Sequence, residues 1–328
     1  MRVLVTGASG FIGGNLVRRL LERGDQVACL VRRSSDLGRL PRAGLELVRG
    51  DLSQDDDRQW TQALSRVEVV FHLAGVTRAL RPRDYLAGNP QITANLLAAM
   101  EARAPAHARL VYLSSQAAAG PCAQPPGIDE DDEPRPVSAY GRAKLAAERL
   151  VLEAGSRRWV CVIRPPAVYG PGDLEFLELF RWIQRGVTAL NGLKPLPMSL
   201  VHCHDLVEAM LLAADSDQAR GRVYFVTDGE AHTFAGIAQA AAEALGRSPL
   251  RIKVPLHLVW LLTRLNGLLG RLRGSALYLN PDKWLEIKQA GWLCHGDRAR
   301  RELGFTPAWN LARGMVHTAE WYRRAGWL

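Results

Sequence analysis

The chain has 328 residues, of which 48% are hydrophobic and 23% charged, so it is expected to fold around a large core rather than to be disordered or fibrous. Its five cysteines, an odd number without C-x-x-C spacing, indicate neither a disulfide framework nor a zinc site, and no metal site is predicted. Its net charge of +9 comes almost wholly from arginines scattered in ones and twos, so no nucleic-acid partner is predicted. No signal peptide or spanning helix is visible, and a reducing, cytoplasmic location is expected.

The first predicted strand, Arg2–Thr6, runs into three glycines spaced G-x-x-G-x-x-G and then into a helix that reaches Leu21. Gly7 permits the tight turn, Gly10 lets the backbone approach a pyrophosphate, and Gly13 lets the helix pack on the strand. The N-terminus of that helix favours phosphate charge. The pattern therefore predicts a dinucleotide cofactor at the start of the chain.

The second strand, Gln26–Val31, ends without the acidic residue that would bind a ribose 2′-hydroxyl and favour NAD. Arg32 and Arg33 follow it instead. A guanidinium can pair with a 2′-phosphate, so NADP is favoured over NAD. The alternative is that both arginines are simply solvated.

Further strands alternate with helices, at Leu45–Val48, Val67–Leu73, Leu110–Ser114 and Val160–Ile163. This alternation predicts a parallel, doubly wound α/β sheet. After the third strand, Asp51 could face the adenine or cap the next helix. A helix is expected over Asn89–Ala102, with Asn89 as its N-cap because Pro90 follows.

Tyr140 and Lys144 are i and i+4 on a helix expected to end near Ala154, so they share one face. A lysine ammonium near the phenol favours phenolate, which would bring its pKa towards neutrality. Such a tyrosine could take a proton from an alcohol or give one to a carbonyl oxygen. By itself the pair could also be a coincidence of helical spacing.

The second half of the chain is less regular. Helices are expected at Leu174–Gln184, Leu206–Ala214, Phe234–Leu245 and Leu311–Trp327, and short strands at Ser199–Val201 and Val223–Val226. Asp205 is expected to cap the second of these helices. The apolar segment Val254–Leu272, interrupted by Gly267 and Gly270, predicts a helix pair or an amphipathic lid. Packing over an apolar pocket is favoured for it over membrane contact.

Together these residues resemble the extended short-chain dehydrogenase/reductase family, which includes sugar-nucleotide epimerases and dehydratases, 3β-hydroxysteroid dehydrogenases and dihydroflavonol-type reductases. The resemblance covers nearly the whole chain. It rests on Thr6-Gly7-x-x-Gly10-Phe-Ile-Gly13, Gly50-Asp51-Leu52, His72-Leu-Ala-Gly75, Ser114-Ser115, Tyr140-x-x-x-Lys144, Arg164-Pro-x-x-Val168-Tyr-Gly-Pro-Gly, Val201-His-x-x-Asp205 and Leu303-Gly-Phe-x-Pro307.

The resemblance implies a Rossmann-type domain over residues 1–172, to which 198–228 returns. It also implies a smaller, mostly helical substrate domain over 173–197 and 229–328. Tyr140 would be the acid/base, Lys144 would lower its pKa, and Ser115 would hold the substrate oxygen. The cofactor would contact Gly7, Ser9, Gly10, Phe11, Ile12, Arg32, Arg33, Asp51, Leu52, Leu73, Ala74, Gly75, Ser114, Tyr140, Lys144, Pro166 and Val168. A homodimer would form through the helices carrying Asn95 and Lys144.

Two departures from the epimerase pattern concern the substrate. Gln116-Ala-Ala-Ala119 stands where epimerases usually show a hydroxyl residue and a Val-Tyr-Gly. Pro197-Met-Ser-Leu200 lacks the arginine that grips a nucleotide diphosphate there. These residues favour an NAD(P)-dependent dehydrogenase or ketone reductase acting on an apolar small molecule. A nucleotide-sugar epimerase or dehydratase, and a non-catalytic cofactor-sensing protein, are the alternatives.

Overall fold

A computed structural model describes residues 1–54, 58–191, 196–275, 277 and 279–328. Its strands are β1 (Arg2–Thr6), β2 (Gln26–Val31), β3 (Leu45–Arg49), β4 (Val69–His72), β5 (Arg109–Leu113), β6 (Val160–Arg164), β7 (Ala167–Tyr169), β8 (Val187–Asn191), β9 (Pro197–Met198), β10 (Leu200–His202), β11 (Arg222–Phe225), β12 (His232–Thr233) and β13 (Leu250–Val254). Its α-helices are α1 (Phe11–Glu22), α2 (Arg58–Ala63), α3 (Pro82–Arg103), α4 (Gln116–Ala119), α5 (Ala139–Ala154), α6 (Glu175–Gln184), α7 (Cys203–Asp215), α8 (Phe234–Leu245), α9 (Leu256–Arg273), α10 (Pro281–Ile287), α11 (Asp297–Leu303) and α12 (Leu311–Arg324).

Seven of these strands form one parallel sheet, in the order β11-β6-β5-β4-β1-β2-β3. From β1, inside the sheet, the strands follow in chain order through β2 to β3 at one edge. On the other side they follow through β4, β5 and β6 to β11 at the opposite edge. This confirms the doubly wound, Rossmann-type sheet, in which ligands bind beyond the carboxyl ends of the strands.

Strand β1 is buried on both faces, as expected for the middle of a parallel sheet. Val3 and Val5 belong to a core shared with α1 and α7, whereas Leu4 belongs to a second core shared with α3 and α5. Successive side chains of a strand point to opposite faces, so the alternation of Val3, Leu4 and Val5 places one helical layer on each side.

A third core lies outside the sheet, among α6, α8 and α12. Phe180, Ile237 and Tyr322 are fully or almost fully buried there. The two-stranded sheets β7–β10, β9–β12 and β8–β13 complete this half of the molecule. Its treatment as a separate substrate domain stays a prediction.

Three local predictions were wrong. Helix α3 begins at Pro82, so Pro90 lies inside it and Asn89 is not an N-cap. Asp205 lies in the first turn of α7, whose N-cap is His202, and its carboxylate accepts from the backbone N–H groups of Ala308 and Trp309 at 3.0 Å each. In all three cases tertiary contacts override a local signal.

The third of these predictions concerns Val254–Leu272, expected to be a helix pair or an amphipathic lid. Only the helix pair is wrong, and the lid stays a prediction. Helix α9 is continuous through both glycines. A Cβ atom at Gly267 would lie 2.9 Å from Cγ of Pro281, so this glycine lets α10 pack closely rather than breaking α9.

Candidate active site

The predicted cofactor residues all follow the carboxyl ends of parallel strands, which meet at one edge of the sheet. The glycine turn follows β1, the two arginines follow β2, and Asp51 and Leu52 follow β3. Leu73–Gly75 follow β4, Ser114 and Ser115 follow β5, and Pro166 follows β6. Val168 lies in β7, just beyond this edge. The sheet therefore brings these segments together, although their individual contacts with a cofactor stay predictions.

The turn after β1 has the shape that a dinucleotide requires. Gly7 has φ +69°, and a Cβ atom on it would lie 2.6 Å from the backbone nitrogen of Ala74. A Cβ atom at Gly13 would lie 2.2 Å from the carbonyl oxygen of Gly7, so this glycine lets α1 approach the turn. Helix α1 has no side-chain cap at Gly10 and no acidic residue in its first turn, where Phe11 and Ile12 lie. Its first N–H groups thus suit a pyrophosphate.

A buried chain of hydrogen bonds connects the carboxyl ends of β1 and β4 to α3. Oγ1 of Thr6 lies 2.7 Å from Nδ1 of His72, whose Nε2 lies 3.0 Å from Oγ1 of Thr93. Thr93 donates to the carbonyl oxygen of Asn89, so it accepts from His72. The network therefore assigns the proton of His72 to Nε2. Burial, and then the charge of Lys144, lower the pKa of His72 to about 3, so it stays neutral.

Asn89 has a supporting role that the sequence did not reveal. Its side chain accepts from the backbone N–H of Val76 at 2.8 Å and donates to the Val76 carbonyl at 3.1 Å. A Cβ atom at Gly75 would lie 2.8 Å from Oδ1 of Asn89 and 3.8 Å from Nζ of Lys144. Asn89 thereby holds the loop after β4 beside the lysine.

Helix α5 directs Tyr140, Lys144 and Glu148 to the same side, because they are spaced by four residues. Nζ of Lys144 donates to the carbonyl oxygen of Leu113 at 2.7 Å and lies 4.5 Å from the ring centroid of Tyr112. Burial lowers the pKa of Lys144 to about 8, and the charge of Glu148 opposes this shift. The lysine is thus fixed at the end of β5.

The side chain of Ser115 lies close enough to Tyr140 to favour its ionised form through side-chain hydrogen bonding. Burial is the main reason that the pKa of Tyr140 rises to about 12, and the charge of Glu286 raises it further. The bond with Ser115 and the charge of Lys283 act in the opposite direction. In the protein alone, therefore, the tyrosine is a neutral acid, contrary to the expected lowering of its pKa.

Ser114 and Arg164 form a buried cluster with Glu148. The Arg164 guanidinium donates to Glu148 through Nε at 3.1 Å and through a terminal nitrogen at 2.7 Å, and the Ser114 hydroxyl also donates to this carboxylate. Both charged side chains are almost completely buried. The cluster ties α5 to the ends of β5 and β6, and a cofactor contact by Ser114 stays a prediction.

Helix α10 holds the N-terminus of α5. The Asp282 carboxylate accepts from the backbone N–H groups of Ala139 at 2.8 Å and Tyr140 at 3.2 Å. Ser138, the N-cap of α5, accepts from Gly141 and donates to Glu286 at 2.7 Å. Carboxylates near a helix N-terminus are stabilising, so α10 positions the candidate catalytic helix from more than 140 residues away in the sequence.

The other predicted cofactor residues differ in exposure. Arg32 and Arg33 are exposed, and the Arg32 backbone N–H donates to Oγ of Ser35 at 3.0 Å. Asp51 accepts from the backbone N–H and the hydroxyl of Ser53, so it holds a turn after β3. Ser9 is half-buried, and Leu52 is buried beneath the same edge.

Three histidines meet at a second place, between α7 and α12. The ring nitrogens of His202, His204 and His317 lie within 4.8 Å of one another, which is a possible metal-ligand arrangement among the described residues. Nε2 of His202 is 3.3 Å from Nδ1 of His317. The guanidinium of Arg313, stacked 4.2 Å from the Trp309 ring, adds positive charge that opposes a cation. The absence of a metal site stays a prediction.

The charge of Glu286 gives a testable pH dependence. Ionised Tyr140 is the form that would take a proton from an alcohol, so oxidation should rise as the pH approaches its pKa. Glu286→Gln removes a charge that raises this pKa, so the rise in kcat/KM should move to lower pH. Glutamine can still accept from the Ser138 hydroxyl.

The matched control is Glu175→Gln, because Glu175 also raises the pKa of Tyr140 but contributes least among its named causes. The shift in the pH profile should therefore be smaller for Glu175→Gln than for Glu286→Gln. Equal profiles for wild type and Glu286→Gln would contradict this electrostatic role.

Known proteins match both the sequence and the geometry. The model of the NAD dependent epimerase/dehydratase family matches residues 3–226. A 3-beta-hydroxysteroid dehydrogenase of Mycolicibacterium neoaurum is 30% identical, over 98% of this chain and 91% of that protein. A farnesyl-dihydroquinoline-oxide ketoreductase of Stigmatella aurantiaca is also 30% identical, over 93% of this chain and 92% of that protein.

Solved structures show the same fold. MoeE5, in complex with UDP-glucuronic acid and NAD, superposes with a TM-score of 0.77 at 30% identity and covers 99% of this chain and 100% of its own. UDP-glucose 4-epimerase of Thermotoga maritima superposes with a TM-score of 0.81 at 22% identity, with 99% of each chain covered. The chain thus belongs to the NAD dependent epimerase/dehydratase family and is an NAD(P)-dependent enzyme of the extended short-chain dehydrogenase/reductase type.

Proposed function

We propose that the enzyme interconverts a ketone and a secondary alcohol on an apolar substrate, with NADP as the cofactor. The observation that carries the choice of substrate is the segment where epimerases hold their diphosphate-binding arginine. Met198 stands there in β9, and Ser199 is buried with its hydroxyl donating to the carbonyl oxygen of Cys294 at 2.9 Å. Neither side chain offers a positive charge to a diphosphate.

The reaction assigns one role to each residue of the candidate site. When bound, the nicotinamide would supply or accept the hydride at the carbon that bears the oxygen. Ser115 orients that oxygen by a hydrogen bond, and Tyr140 donates a proton to it during reduction. Lys144, fixed at the Leu113 carbonyl, binds the ribose beside the tyrosine and brings positive charge towards the phenol.

Exchange or retention of the cofactor distinguishes this reaction from epimerisation. A net reductase must exchange its cofactor in every turnover, whereas an epimerase can keep it bound. We therefore expect purified enzyme to oxidise added NADPH with an apolar ketone, such as a ketosteroid, in a continuous absorbance assay. Tightly retained NAD, together with no NADPH oxidation on any ketone and turnover of a UDP-sugar, would refute the proposal.

A sugar-nucleotide epimerase is the second candidate, because MoeE5 is 30% identical and its structure holds UDP-glucuronic acid and NAD. The relatives named as 3-beta-hydroxysteroid dehydrogenase and ketoreductase support the first candidate. A cytoplasmic location and a homodimer formed through α3 and α5 are further parts of the proposal.

The preference for NADP rests on the two exposed arginines after β2. Replacing Arg32 with aspartate puts an acidic group at the end of β2, where it can bind a ribose 2′-hydroxyl and repel a 2′-phosphate. We expect the ratio of kcat/KM for NADPH to that for NADH to fall by at least about tenfold, which corresponds to about 1.4 kcal/mol.

Arg42→Asp is the matched control, because it makes the same change of charge at an exposed arginine that does not follow β2 directly. This variant should keep the wild-type cofactor ratio. An unchanged ratio in Arg32→Asp would show that Arg32 does not bind a 2′-phosphate.

A further inference from the structure

Helix α9 has its most apolar side facing away from the protein. The buried residues of α9 are Val259, Thr263 and Gly270, which lie on one side of the helix, facing the protein. Residues on the opposite side recur every three or four positions and are all leucines, which are 42% to 77% exposed. They are Leu258, Leu261, Leu262, Leu265, Leu268, Leu269 and Leu272. At 3.6 residues per turn these leucines form one stripe, about 120° wide.

This arrangement is the reverse of an ordinary surface helix, whose apolar stripe faces the core. Exposed leucines that stand alone need no explanation, but seven on one stripe form a contiguous apolar surface. Leu250 and Ile252 in β13 are exposed as well and add to the apolar surface of this segment. We call the seven leucines of α9 the leucine stripe.

Positive charge surrounds the leucine stripe. On the helical wheel Arg264 and Arg271 border one side of it, and Arg273 borders the other. No acidic residue occurs between Glu243 and Asp282. This interval carries six basic residues, namely Arg247, Arg251, Lys253, Arg264, Arg271 and Arg273.

We propose that α9 docks in the plane of an anionic lipid bilayer, with the leucine stripe in the acyl boundary and the arginines at the headgroup phosphates. A helix with this pattern binds by apolar burial together with attraction to anionic lipids. A second copy of the chain would bring the same positive charge to the stripe, whereas an anionic bilayer complements it. Among the described residues no helix is long and apolar enough to cross a membrane. The docking proposal does not depend on the proposed reaction and goes beyond it.

The docking surface is connected to the candidate active site through α10. Gly267 on the protein-facing part of α9 contacts Pro281, the first residue of α10. The next residue, Asp282, holds the N-terminus of the helix that carries Tyr140. A bilayer under α9 would therefore lie two helices away from the candidate acid/base.

Vesicle flotation tests the proposal with the full-length chain. The vesicles contain equal parts phosphatidylglycerol and phosphatidylcholine, or phosphatidylcholine alone. Wild type should float with the anionic vesicles, and binding should weaken as salt is raised because screening shortens the range of the charges. The stripe variant Leu261→Gln/Leu265→Gln/Leu268→Gln should bind at least about tenfold more weakly. The charge variant Arg264→Gln/Arg271→Gln/Arg273→Gln should lose its preference for anionic vesicles.

The control variant Leu47→Gln/Leu212→Gln/Val316→Gln changes three exposed apolar residues outside this segment and should float like wild type. Circular dichroism and NADPH oxidation on a water-soluble ketone verify the fold of each variant, so a failed reaction is distinguishable from failed docking. Wild type that does not float, or a stripe variant that floats equally, overturns the proposal. A third outcome also overturns the proposal: wild type does not bind vesicles but self-associates in sedimentation equilibrium, and the stripe variant abolishes this self-association.

Discussion

Tyr140→Phe is expected to lower kcat by about 10²- to 10⁴-fold, which is the usual contribution of a positioned general acid or base. The substitution removes one oxygen atom and keeps the ring, which packs edge-on against Tyr85 with centroids 5.9 Å apart. The binding of NADPH should change little, because the predicted pyrophosphate site is the turn after β1, away from the phenol oxygen. The measurement is single-turnover reduction of a ketone, together with the Kd for NADPH from fluorescence.

Tyr85→Phe is the control for this experiment, because it deletes the same atom from the neighbouring ring. It should keep most of the wild-type kcat. Full reductase activity of Tyr140→Phe would contradict the assigned role of Tyr140 as the proton donor.

The sequence predicted the sheet and the positions of the cofactor segments because both follow from local patterns. Apolar strands alternating with helices imply a parallel sheet, and a parallel sheet gathers every strand end at one edge. The face shared by Tyr140 and Lys144 likewise follows from a spacing of four residues. These inferences use contacts close in sequence, or contacts that the topology makes obligatory.

The errors concern residues whose partners are distant in sequence. Asn89 looked like an N-cap, but its amide binds the Val76 backbone across the site. Asp205 also looked like a cap, and it instead holds the chain at Ala308 and Trp309. Each side chain has ordinary capping chemistry, so only the tertiary structure reveals where it is used.

Asp282 was missed for the same reason. The run Asn280-Pro281-Asp282 carries the signal of a helix start, with an N-cap followed by proline. Nothing in this signal indicates that the carboxylate reaches the N-terminus of α5. The raised pKa of Tyr140 was missed too, because burial and the charge of Glu286 are properties of the folded site.

Glu148→Ala is expected to lower the free energy of unfolding by about 3–5 kcal/mol, because it leaves the Arg164 guanidinium buried without its partner. Glu148 is fully buried, and Arg164 donates to it in a fork of hydrogen bonds. The Ser114 hydroxyl loses its acceptor in the same variant. Equilibrium urea denaturation, followed by circular dichroism, measures the loss.

The double variant Glu148→Met/Arg164→Met separates the cost of an unpaired charge from the worth of the pair. A buried pair replaced by apolar side chains of similar volume is often neutral for stability, because desolvation offsets the attraction. We therefore expect the double variant to be more stable than Glu148→Ala, although it carries two substitutions. If Glu148→Ala does not fold, recovery of folded protein in the double variant gives the same answer. A double variant with a lower free energy of unfolding than Glu148→Ala would contradict this expectation. It would show that the attraction within the pair contributes more to stability than the unpaired guanidinium costs.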